Sequence, residues 1–222
     1  RTTIQKIADE PQAWSNENFP FAALRNLTIK GVPVLAFRIS YVGEQGWELH
    51  FKYYDGLALW DALYAEGVTP VGVETYANSR RMEKSLRMQN ADLLTEYNLF
   101  ECDLARPKVK EADFHGKAAH LQFRAREHQP ATLCTLVMTH NIDSTGVARY
   151  PLGNLPVMDP ATGATLIDAE GRRSYTTSIA FGPTIGKNIA LAYLPYDYCQ
   201  VGRALQVQYF EDIYPVTVEA VG

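Results

Sequence analysis

The first forty residues alternate apolar and polar positions with period two in two places. Leu24 to Ile29 and Val32 to Tyr41 flank a Lys30-Gly31 turn and predict a β-hairpin. A short helix is expected at Thr2 to Ile7, and the polar, turn-rich stretch Asp9 to Pro20 separates the two. Another strand is predicted from Trp47 to Tyr54. Asp55 then caps a helix over Gly56 to Ala65, whose apolar face is Leu57, Leu59, Trp60, Leu63 and Tyr64, and Glu66-Gly67 stops it. A second helix is expected from Tyr76 to Met88. Met82 and Leu86 share one face of it, while Arg80, Arg81, Lys84 and Arg87 make the rest cationic. A third is expected from Asp113 through Arg126. After Pro130 the pattern turns to short β-runs at Ala131 to His140, Leu155 to Met158, Ser174 to Phe181, Asn188 to Tyr193, Ala204 to Phe210 and Val216 to Val221. Turn signals such as Asp159-Pro160, Thr162-Gly163 and Gly182-Pro183 separate them, the spacing of a small barrel or sandwich. The pattern thus divides the chain into an α+β region, 1–128, and a β-only region, 129–222.

The segment Arg38 to His50 concentrates the candidate chemistry. A β-prone run enters a Gly43-Glu-Gln-Gly46 turn and restarts at Trp47-Glu48-Leu49. Glycines at both ends of the turn permit positive φ and a sharp bend that gathers Tyr41, Glu44, Trp47 and Glu48. Aromatic rings can stack on a flat heterocycle, and a carboxylate can accept two hydrogen bonds from its N–H edge. A plain hairpin with a packed Trp and solvated acids is the competing reading.

Composition narrows the class. The 222 residues are 46% hydrophobic, enough for a sizeable core. A net charge of −4 gives no footprint for nucleic acid. No apolar run reaches membrane-spanning length. Cys102, Cys134 and Cys199 are few, odd in number and far apart, which points to a reduced compartment and away from a zinc site. The five histidines, His115 and His120 among them, show no ligand spacing, so no metal is expected. Neither G-x-G-x-x-G nor G-x-S-x-G is present. The first residue is Arg1, and no targeting pattern follows it, so the chain reads as a fragment, a processed product or part of something longer.

Four segments in order resemble the glycine-cleavage T-protein (aminomethyltransferase) family, which also forms the C-terminal half of dimethylglycine and sarcosine dehydrogenases. Tyr41-Val-Gly-Glu-Gln-Gly-Trp-Glu-Leu49 resembles the family signature. Ser79-Arg-Arg-Met-Glu-Lys-Ser85 is similar to Ser-Leu-Arg-Leu-Glu-Lys, and Asp113-Phe-His-Gly-Lys117 to Asp-Phe-Ile-Gly-Lys. Thr177-Ser178, Pro183 and Ile189-Ala-Leu-Ala-Tyr-Leu-Pro195 resemble the closing block. Trp47 and the Glu83-Lys84 ending look more like the dehydrogenase branch.

The resemblance implies a partial ferredoxin-like, folate-binding α+β domain followed by an antiparallel β-barrel. It implies tetrahydrofolate as cofactor, a small methylamine or aminomethyl substrate, and a cytoplasmic setting (mitochondrial matrix in a eukaryote). Where FAD takes part, it binds outside this chain. Glu48 matches the acid that holds the pterin, and Tyr41 the aromatic of the same motif. Trp47 is a candidate contact whose residue type favours core packing, and Glu44 is read as holding the turn. The family's folate-contacting arginine falls at Ala77, so that contact is not carried over; Arg80, where the family has an apolar residue, is either a candidate substitute for it or a local departure from the pattern. Arg81 and Glu83 are read as structural, each pairing with another element. No residue here matches the family's catalytic aspartate, which lies upstream of the position of Arg1. The function implied is a tetrahydrofolate-dependent one-carbon transfer module of a demethylase of dimethylglycine or sarcosine type, or of a T-protein. The alternatives are a demethylase of another methylated substrate and a non-catalytic partner module that keeps the fold. An incomplete α+β domain would expose apolar surface to its missing half or to another polypeptide.

Overall fold

The computed structural model describes residues Arg1–Gly222, which form two compact units, Arg1–Tyr76 and Ala77–Gly222. The architecture is α+β, with an antiparallel sheet that curls into a barrel in the second unit.

In the first unit, β1 (Leu24–Ile29) and β2 (Val32–Phe37) form the hairpin read from the alternation, and β3 (Glu48–His50) adds to the far side of β2. Lys30 and Gly31 both take positive φ, +50° and +76°. That is the primed two-residue turn whose twist matches paired strands. Asp9 accepts the Gly31 N–H at 2.9 Å, which fixes the turn against the end of α1 (Thr2–Ile7). Val32, Val34 and Ala36 point inward to Ile4, Ile7, Trp14, Phe19, Ile29 and Leu59 of α2 (Gly56–Ala65).

Several expectations are corrected. The strand predicted from Trp47 to Tyr54 is three residues long, because β2 offers it partners only from Leu35 to Phe37; a 3-10 turn takes over at Tyr53–Asp55. Asp55 makes no side-chain cap to α2. The apolar face predicted for that helix splits. Leu59 is buried, while Leu57, Trp60 and Tyr64 lie on an outward stripe at i, i+3 and i+7, with Trp60 stacked on Tyr64. Gly43 is left-handed at φ +69°, whereas Gly46 is not among the positive-φ residues.

The expected helix from Tyr76 to Met88 is replaced by a π-helical segment, Glu74–Arg80, one further helical step at Arg81 and Met82, and then turns. The helix expected from Asp113 starts only at Lys117 and ends at Arg124 (α3), because Gly116 before it sits at φ +85°.

The second unit is built on six antiparallel strands: β4 (Ala131–Met138), β5 (Val157–Met158), β6 (Thr176–Gly182), β7 (Lys187–Pro195), β8 (Ala204–Tyr209) and β9 (Asp212–Val221). Their order is β5-β8-β9-β4-β7-β6, and a bridge between Pro156 and Tyr175 joins the two outer strands. Alternate residues of β4 and β7 fill two cores. Cys134, Leu136, Met138, Ala190, Ala192 and Leu194 line the interior. Leu133, Ile189, Leu191 and Tyr193 meet Met82, Cys102, Leu93 and Tyr97 on the other face. Burial on both faces explains why these strands read as continuous apolar runs. It also explains why residues 77–128, assigned from sequence to the α+β region, are compact with the barrel.

The loop after β4 is held by one buried carboxylate. Asp143 accepts from the Thr145 hydroxyl and N–H, the Val147 N–H and Arg149 Nε, at 2.6–2.9 Å. The Thr145 hydroxyl, then the Val147 N–H and Arg149, hold its pKa well below the usual carboxylate range against the opposing effect of burial. A folded-state pKa below the unfolded one stabilises the fold above the unfolded value, and that contribution is lost as pH falls through the folded value. Asp143→Asn is therefore expected to lower the urea midpoint at pH 7, with the difference from wild type closing below about pH 4. A difference that persists undiminished in acid would contradict this.

Candidate functional site

The signature segment lies between β2 and β3 in the first unit. Ser40 Oγ accepts the N–H groups of Val42 (3.2 Å) and Glu44 (3.0 Å), which forms the tight turn that left-handed Gly43 completes. Asn16 Oδ1 holds the segment at two points, accepting from Arg38 Nη2 at 2.8 Å and from Gln45 Nε2 at 3.0 Å. The Arg38 guanidinium also donates to the Phe19 carbonyl and lies 5.9 Å from the Trp47 ring centroid. The segment is therefore tied to the aromatic core at several points.

Trp47 and Glu48 are successive residues, and extended backbone sends them to opposite sides. Trp47 packs edge-on against Trp14 at 5.4 Å and beside Phe19 at 6.0 Å. Its indole N–H and that of Trp14 are buried without an acceptor. Glu48 points outward with its side chain 46% exposed, and its Oε2 lies 3.7 Å from His50 Nε2, two residues along the same side of β3. A carboxylate so placed keeps most of its acceptor capacity for an incoming N–H edge. Tyr41 is half-buried and its ring lies 6.1 Å from that of Tyr76. Tyr76 received no role in the sequence reading; its position at the start of an expected helix hid the aromatic pair.

Arg80, in the second unit, is half-buried at the end of the π-helical segment Glu74–Arg80, with Ala77 three residues before it. Such segments are rare and are often found at functional sites. Arg81 and Glu83 each pair with another element, as expected. Both side chains of the Arg81–Asp92 pair are fully buried. Arg81 donates to Asp92 Oδ2 at 2.6 Å, to Ser178 Oγ at 2.7 Å, and to the carbonyls of Ala77 and Leu86. Asp92 also accepts from Ser178 Oγ at 2.7 Å, from the Thr177 hydroxyl and from the Met88 N–H at 2.8 Å. Glu83 accepts the Thr184 N–H at 2.6 Å and its hydroxyl at 2.9 Å. Thus the Ser79–Ser85 segment and the Thr177-Ser178 pair, widely separated in sequence, are one bonded network. Asp92 is its centre, and nothing in its own sequence neighbourhood singled it out.

Residues 1–109 match the GCVT N-terminal domain, and residues 154–221 match the glycine cleavage T-protein C-terminal barrel domain, in that order. The chain belongs to the glycine-cleavage T-protein family. It is 32% identical to the mitochondrial dimethylglycine dehydrogenase of Rattus norvegicus over 98% of this chain and 24% of that protein. It is 33% identical to an aminomethyltransferase of Symbiobacterium thermophilum over 85% of this chain and 47% of that protein. The chain thus spans about a quarter of the former's length and about half of the latter's. The glycine cleavage system aminomethyltransferase T of Bartonella henselae superposes with a TM-score of 0.68 at 21% identity, over 84% of this chain and 48% of that one, and so shares the fold. The T-protein-type module carries no helix long and apolar enough to cross a membrane.

Proposed function

We propose that the chain is a tetrahydrofolate-dependent one-carbon transfer module, within a demethylase of dimethylglycine or sarcosine type or a T-protein. The observation that carries this is the orientation of Glu48. Trp47 is locked into the core, so the neighbouring carboxylate is held outward on a short strand that a pinned turn positions. Bound tetrahydrofolate would supply the nitrogens that accept the one-carbon unit. Glu48 would accept the N–H groups of the pterin edge and fix its orientation, a proximity effect on whatever aminomethyl or methylamine substrate lies beside it. Tyr41, with Tyr76 against it, would border the ring. Trp47 would act by holding Glu48 in place. The outward stripe of Leu57, Trp60 and Tyr64 supports a polypeptide partner over that face of the first unit. A flavin, where one takes part, would bind elsewhere.

The test is a titration of the full chain with a stable reduced folate, read by tryptophan fluorescence and repeated with Glu48→Gln. Hydrogen bonds to a charged group contribute about 1.5–3 kcal/mol, so the variant is expected to bind about 10- to 100-fold more weakly. Equal affinity of the two proteins would remove Glu48 from the site.

Ala77 favours a second reading, a partner module that keeps the fold without turnover. Tight folate binding with no one-carbon transfer in the complete assembly would select it.

A further inference from the structure

The barrel contains two cysteines whose sulfurs converge on one rung of the β4–β7 ladder. Cys134 is buried on β4, with its Sγ 3.5 Å from the Thr132 carbonyl. Cys199 is half-buried and follows the 3-10 turn Tyr196–Tyr198 that ends β7; its Sγ lies 3.3 Å from the carbonyls of both Leu194 and Pro195. Thr132 and Leu194 are direct cross-strand partners, so each sulfur reaches the same rung from its own strand. Cys199 also packs against the interior cluster to which Cys134 belongs. Cys102 belongs to the cluster on the other face of the sheet. Wide separation in sequence hid this pair.

We propose that Cys134 and Cys199 form a peroxide-reactive dithiol that closes to a disulfide at the end of the barrel. Cys199 attacks first, because it is the solvent-accessible member of the pair. The neighbouring Cys134 thiol, and then the hydroxyl and N–H of Thr132, favour its thiolate and lower its pKa; Cys134 itself is raised by the neighbouring Cys199 and by burial. The Cys199 thiolate attacks one peroxide oxygen, the O–O bond breaks, and the departing hydroxide takes a proton to leave as water. Cys199 is now a sulfenic acid. The Cys134 sulfur then attacks the Cys199 sulfur, the S–O bond breaks, and the second oxygen leaves as water with the Cys134 proton. Two thiols have lost two electrons, and one hydroperoxide has become two waters (for hydrogen peroxide). Closure joins two sulfurs that both lie at the Thr132–Leu194 rung of the ladder.

The experiment exposes the reduced full chain to hydrogen peroxide, then unfolds it in excess maleimide and reads intact mass and peptide maps. The expected product carries one maleimide, on Cys102, has lost two hydrogens, contains the Cys134–Cys199 cross-linked peptide, and reverts with dithiothreitol. Cys102→Ser should close as readily as wild type. Cys134→Ser should stop at a Cys199 sulfenic acid that dimedone traps, and Cys199→Ala should lose thiol at least about tenfold more slowly. Three maleimides on peroxide-treated wild type would overturn the proposal. So would a Cys199 sulfinic acid with no cross-link, or oxidation of Cys102 ahead of the pair.

Discussion

Replacing Arg81 by Met is expected to destabilise the second unit by about 3–5 kcal/mol, the cost of leaving a buried charge without its partner. Asp92 has no exposed side-chain surface and takes one of its closest bonds, 2.6 Å, from Arg81. The Thr177, Ser178 and Met88 donors remain in the variant, but they are neutral and cannot compensate a full charge taken out of water. The same substitution frees the carbonyls of Ala77 and Leu86, and so releases the turns that follow the π-helical segment. Urea unfolding followed by circular dichroism measures the loss, and a change below about 1 kcal/mol would mean that water reaches Asp92. Arg81→Met combined with Asp92→Leu should lose clearly less than the single variant, because an apolar pair leaves no orphaned charge. If the double variant instead loses the sum of the singles, the pair is not an isolated electrostatic unit.

The network also marks how far the sequence could be read. Elements set by local pattern were legible: the Lys30-Gly31 hairpin, the bounds of α2, and all six barrel strands to within a few residues. Each depends on alternation and on turn residues that act over a handful of positions. The region from Tyr76 to Asp103 was not legible, because its conformation is fixed from outside. Arg81 reaches back to Ala77 and forward to Leu86, Ser85 takes φ +51° and bonds Thr135, and Asp92 bonds β6. Helical spacing of Met82 and Leu86 is real but loses to those tertiary bonds. Of the candidate site, Glu48 and Trp47 could be placed from one dipeptide, since strand geometry sends neighbours to opposite sides. The pairing of Tyr41 with Tyr76 depends on how the chain returns, and no local signal encodes it.

Arg172 is the second site where one substitution should have a large effect. Arg172→Met is expected to cost about 3 kcal/mol, again by orphaning buried acids. The side chains of Glu101 and Asp168 are almost fully buried, and Arg172 bonds both, reaching Asp168 Oδ2 with Nε at 2.7 Å and Glu101 with Nη2. Burial alone would lower the arginine's pKa, but Glu101 and Asp168 outweigh it and hold the cation charged. The guanidinium also lies 4.4 Å from the Tyr97 ring centroid, and that ring stacks on Tyr193 at 3.5 Å. The two acids keep unequal support. Asp168 retains the N–H groups of Glu170 and residue 172, and Glu101 retains the N–H and side-chain amide of Asn98. The expected loss is therefore at the low end for a buried pair. Arg172→Lys distinguishes charge from geometry. An ammonium restores one positive charge but cannot span two carboxylates or lie flat over Tyr97, so it should recover less than half of the loss. Recovery of the full stability by Lys would mean that net charge alone holds the 96–101 segment against the barrel. Recovery of none would mean that the planar fork is what the site requires, and that Glu101, like Asp92, has been buried only because an arginine of the right reach meets it.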